Sequence, residues 1–185
     1  MMHSAEDRWI QWWCAPWQWA HPDWTSRFLE CSGLPPTDLS DLLRVRPAAF
    51  LQSVGIAPSQ PPAPVEALLQ WLALDADRQR QALNLAGRIC LIGTAQSETG
   101  SAPDSEPAQH ETWCRSVAKA LRPGTWLDGN TDDPRLLLAT WIGETCWPRL
   151  RLSWPPDTVP QTVAHLPSNK LQTLWQAVLW RVMTP

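Results

Sequence analysis

Between Trp9 and Trp24 the chain places six of its fourteen tryptophans, together with Pro16, Pro22, Cys14 and His21. Each such ring buries on the order of 150–250 Å² when packed, so the rest of the chain must supply a large apolar partner surface. A loosely ordered chain cannot do so. With 44% hydrophobic against 18% charged residues, the composition is that of a chain that folds. Its 185 residues suit a single domain, 1–185, with enough interior to need no staples.

Helical periodicity dominates. Ser4 and Asp7 open a helix that carries Trp9, Trp12 and Trp13 on one stripe and ends at Pro16. Pro22 suits the first position of a second helix bearing Trp24 and Phe28, with Asp23 near its positive end. Thr37 or Asp38 caps a short segment through Leu42 and Leu43, and Pro47 starts another with Phe50 and Leu51. Residues 57–64 hold four prolines and read as a semi-rigid connector, the best internal boundary.

Val65, Leu68, Leu69 and Leu72 form the next stripe. A helix from about Arg78 to Ile92 follows, apolar round most of its circumference and closed by Gly93. Residues 94–109 turn polar and acidic and read as a mobile loop. A helix resumes from about Ala108 to Leu121, and Asp133-Pro134 caps and starts one that Gly143 closes. Arg149 to Trp154 alternates polar and apolar, the one candidate for an extended β-like segment. Ser168 caps a last helix in which Leu171, Leu174, Trp175, Val178, Leu179 and Val182 make the inner stripe. Trp180 falls about 180° from the centre of that stripe. The expected class is therefore mostly α, a compact orthogonal multi-helix domain.

The chemistry that composition permits is narrow. A net charge of −3 with dispersed basic residues argues against nucleic acid as a partner. Five cysteines at wide, irregular spacing make neither a disulfide framework nor a zinc site. His110 and Cys114 share the i, i+4 spacing of zinc-peptidase ligands but lack the second histidine of that motif. Cys14 and His21 could pair as nucleophile and base, yet nothing supplies an orienting third group. Phosphate-cradling and nucleophile-elbow motifs are missing, so no catalytic residue, metal or cofactor is expected. The amino terminus lacks the basic and apolar regions of a signal peptide, and no run is long enough to span a bilayer. A cytoplasmic setting is the expectation.

Most of the rings read as core. Trp17, Trp19 and Trp180 lie on no predicted inner stripe and are candidate partner contacts, since tryptophan is enriched at binding hot spots.

Three blocks resemble the type III secretion accessory proteins of the SctK (YscK/PscK) family. Cys14-x-Pro16 followed by His21-Pro22-x-Trp24 is similar to that family's amino-terminal signature. Leu136 to Trp141, running into Cys146-Trp147-Pro148-Arg149-Leu150-Arg151-Leu152, resembles its late helix and the segment that follows. The closing Leu171-x-x-Leu174-Trp175-x-x-Val178-Leu179-x-Arg181-Val182-Met183 resembles its last helix. Together they span about a third of the chain, at both ends and in family order. The resemblance implies a helical, non-enzymatic cytoplasmic adapter beneath the injectisome. Its partners would be the cytoplasmic domain of the inner-membrane ring protein and the pod protein of the sorting platform. Arg149 and Arg151 of the second block join Trp17, Trp19 and Trp180 as candidate partner contacts. The alternative is a helical chaperone or another interaction protein of the same system.

Overall fold

The structure, a computed structural model, describes residues 5–32, 39–94, 108–127, 133–160 and 165–184. Among these the chain forms ten α-helices and no strand. In chain order they are α1 (Ala5–Cys14), α2 (Pro22–Ser32), α3 (Leu39–Val45), α4 (Pro47–Ser53), α5 (Glu66–Leu72), α6 (Ala76–Thr94), α7 (Ala108–Leu121), α8 (Pro134–Ile142), α9 (Trp147–Leu150) and α10 (Ser168–Met183). Short 3-10 turns occupy Pro16–Gln18, Pro123–Thr125, Arg151–Ser153 and Pro156–Thr158. The mostly α class expected from periodicity is the class observed.

The chain divides into two compact units: Met1–Leu69 with Glu144–Gln161, and Gln70–Gly143 with Thr162–Pro185. The division falls inside α5, not at the proline-rich residues 57–64, which belong to the first unit. Residues 95–107 of the expected acidic loop, and the expected Thr37 or Asp38 cap, lie outside the described residues.

In the first unit Trp9, Trp12 and Trp13 are buried together, as their spacing requires, with ring centres 5.7–6.3 Å apart. A second cluster gathers Trp24, Phe28, Leu43, Phe50, Leu51, Val54, Ile56 and Leu152. Phe28 meets Phe50 edge to face at 5.6 Å, a favoured arrangement for aromatic quadrupoles. Gly55 makes the exit from α4 possible. Its φ of 74° lets Gly55 N donate to Gln52 O and Ile56 N to Leu51 O, which satisfies carbonyls the helix end would leave unpaired. The apolar contact typical of such an ending is present, since Ile56 and Leu51 are buried in one cluster.

The expected extended segment at 149–154 is helical instead: α9 followed by a 3-10 turn. Pro148 lies in the first turn of α9, where its fixed φ favours a helix and its missing N–H costs nothing. Bonds within the segment, such as Leu150 N to Cys146 O at 3.1 Å, replace any ladder. Leu150 and Leu152 are buried, but so are Arg149 and Arg151, so the alternation does not sort an inner from an outer face.

The second unit is built round α6, whose Ala82, Leu85, Ala86, Ile89 and Cys90 are buried and which packs on α7, α8 and α10. All six residues of the α10 stripe are buried. Trp175 takes Trp141 stacked at 5.7 Å and Trp71 edge-on at 5.9 Å, and donates its indole N–H to Leu137 O. Asp133 caps α8 as expected, accepting from Arg135 N at 2.9 Å, and Gly143 closes it with φ 91°.

Two expected helix ends differ. Gly93 does not close α6, which continues to Thr94. Its value is space: a Cβ there would sit 2.3 Å from Cδ of Pro123. Ser168 is the first residue of α10 and not its cap. Pro167 O accepts the first-turn N–H groups of Lys170 and Leu171, so no side-chain cap is used.

Candidate functional site

The tryptophans sort by exposure. Trp9, Trp12, Trp13, Trp24, Trp71, Trp147 and Trp175 are buried, while Trp17, Trp113, Trp126, Trp141 and Trp154 are half-buried. Only two rings stand mostly in water, Trp19 at 54% and Trp180 at 59% exposed. Both were singled out by the absence of an inner stripe at their positions. Trp17, the third such residue, instead packs edge-on to Phe50 at 6.2 Å.

Trp19 is held outward by a braced turn. Its N–H donates to Pro16 O at 3.1 Å, Gln11 Nε2 donates to Gln18 Oε1 at 2.9 Å, and His21 N donates to Leu152 O at 2.6 Å. With Pro16 and Pro22 on either side, the backbone that carries the ring has little freedom left. Trp180 is presented by α10, whose opposite face is wholly anchored. Met183, three residues on, is 48% exposed, and Arg181 turns its guanidinium toward the Trp113 ring at 6.0 Å. Each exposed ring is thus large, apolar and carried on ordered backbone, which lowers the backbone entropy lost on docking.

Arg149 and Arg151 are inside the first unit, at 5% and 9% exposure. Arg149 Nε donates to Trp13 O at 3.1 Å with the guanidinium 3.7 Å from the centre of the Trp13 ring. Arg151 donates to Val54 O at 2.6 Å and faces Trp24 at 5.2 Å. Burial holds both guanidinium groups below the usual arginine value. In this arrangement they hold helix ends together and present no charge outward. Nothing in the sequence distinguished them from surface arginines, because the carbonyls they meet lie 97 and 136 residues away along the chain.

His21 Nδ1 lies 3.4 Å from Asp23 Oδ2 and accepts from Asp23 N, so its partner is that acid. Cys114 is fully buried and His110 half-buried. Among the described residues no group of three or more His, Cys, Asp or Glu is placed to hold a metal ion. Burial pushes the Cys90 thiol up to about 12 and, against the pull of Arg149, the Cys146 thiol up to about 11. No described helix is long and apolar enough to cross a membrane. No protein-family model, curated protein or solved structure matches this chain.

Proposed function

We propose that this protein is a non-enzymatic adapter of a bacterial type III secretion system. In this reading it links the cytoplasmic domain of the inner-membrane ring protein to the pod protein of the sorting platform, in the cytoplasm at the base of the apparatus. The assignment to secretion rests on the three sequence blocks described above, which lie at both ends of the chain in family order. The docking role rests on one observation. Trp180 projects into water from a helix whose every inner-stripe residue is buried, so the ring is offered at no cost to the core.

The test is reconstitution. Purified protein, ring-protein cytoplasmic domain and pod protein, mixed and separated by size-exclusion chromatography, should co-elute as a three-component complex. The first two, and the first and third, should also pair. Failure to bind either component contradicts the reading, and a stable complex with an exported effector alone assigns a chaperone role instead.

A further inference from the structure

The most unusual contact in the first unit joins α1 to the proline-rich residues 57–64. Trp9 and Trp13, one helical turn apart, are buried, and their indole N–H groups both donate to that segment. Trp9 donates to Pro62 O at 2.8 Å and Trp13 to Ser59 O at 3.0 Å. The acceptors are three residues apart in a stretch that holds four prolines, a composition that favours polyproline II, whose repeat is three residues. The lower-numbered tryptophan takes the higher-numbered carbonyl, so the two segments run antiparallel.

This segment lies on the surface. Pro61 and Pro62 are half-buried, while Ser59, Gln60, Ala63 and Pro64 are exposed. Arg149 completes the seat, stacking on Trp13 and reaching Ser59 Oγ at 3.4 Å. Aromatic-lined grooves are a recurrent seat for proline-rich segments, whose preformed conformation loses little entropy on docking. The two indole hydrogen bonds read main-chain oxygen, so a segment from elsewhere satisfies them equally if prolines hold it in the same extended shape.

We propose that the tryptophan face of α1 is a receptor for proline-rich extended segments, occupied in cis by residues 58–64 and exchangeable for such a segment of a partner protein. The inference does not depend on the secretion reading. A tethered segment competes at an effective concentration on the order of millimolar, so the wild-type face is shut to free peptide below that range.

The test replaces the tethered prolines (Pro61→Gly, Pro62→Ser, Pro64→Gly) and adds a synthetic peptide of residues 57–65. The variant, folded by circular dichroism, is expected to bind the peptide with shifts in the Trp9 and Trp13 indole N–H resonances. Wild type should need at least tenfold more peptide. A folded variant that ignores millimolar peptide overturns the proposal, as does equal binding of a peptide with alanine at every proline. Exchange of the segment between two copies, seen as a dimer of the variant, overturns it too by assigning the face to self-association. Should the variant not fold, hydrogen exchange in wild type decides. The Trp9 and Trp13 indole protons should exchange faster than that of Trp24, and equal rates overturn the proposal.

Discussion

Arg149 and Trp13 meet twice: the Nε–H donates to the Trp13 carbonyl at 3.1 Å while the guanidinium lies 3.7 Å from the centre of the same residue's ring. Trp13 O belongs to the last turn of α1, where carbonyls lack intrahelical partners and a cation is favoured. Arg151 does the same for Val54 O at the end of α4. A charge-assisted hydrogen bond contributes about 1.5–3 kcal/mol and a desolvated cation–π contact about 2. Desolvation of the guanidinium offsets part of both. Arg149→Ala should therefore lower stability by about 3 kcal/mol, read as a shifted denaturant midpoint. Arg149→Lys should recover little, because an ammonium cannot lie flat on the ring and donate sideways at once.

Gly93 and Gly87 share α6 but predict opposite outcomes. A methyl at Gly93 would meet the Pro123 ring at 2.3–2.9 Å, and that ring is fixed by Arg122 in the left-handed region at φ 52°. Gly93→Ala should cost about 1–3 kcal/mol through overpacking. A methyl at Gly87 would touch Pro134 at an ordinary 3.6 Å. Gly87→Ala should be neutral or stabilise by up to about 1 kcal/mol from helix propensity. Thermal denaturation of the two variants separates the cases.

Thiol labelling should split two against three. Cys14 and Cys31 are exposed, whereas Cys90, Cys114 and Cys146 are buried. A water-soluble disulfide reagent should modify the first two rapidly in native protein and the others only on unfolding. Fast modification of three or more would contradict the described packing.

The raised thiol values also give an alkaline limit. Burial favours the protonated form of Cys90 and Cys146 in the folded protein, so that contribution is intact below the ordinary thiol value of 9.0. It is lost as pH climbs toward about 11 for Cys146 and about 12 for Cys90. Each thiol should add a slope of about 1.4 kcal/mol per pH unit in that window. Cys90→Ala should flatten the pH dependence of the denaturation midpoint above pH 9.0, the ordinary thiol value, up to the Cys90 value of about 12.

What could be read from sequence follows the range of the forces involved. The α10 stripe, the Trp9–Trp12–Trp13 face and the Asp133-Pro134 start of α8 are local, fixed by 3.6-residue spacing and by cap chemistry within a few residues. Trp19 and Trp180 were legible for the same reason, as rings with no inner stripe to join. Contacts spanning long stretches of sequence were not. The Arg149–Trp13 and Trp9–Pro62 bonds join residues 136 and 53 apart. Without them, an arginine looks like surface and a proline run looks like a linker. The 149–154 segment misleads because period-two alternation assumes polar residues face water, and here the polar residues face buried carbonyls.

The central claim, that docking belongs to an exposed ring and stability to the buried ones, is tested most directly by calorimetry on two variants. Trp175→Ala removes a fully buried ring and should cost about 3–5 kcal/mol of stability. Trp180→Ala should leave stability within about 0.5 kcal/mol of wild type, as a surface change does. The same variant should weaken binding to the ring-protein domain or the pod protein by about 2 kcal/mol or more, roughly thirtyfold. Wild-type affinity of Trp180→Ala for both proteins would contradict the account.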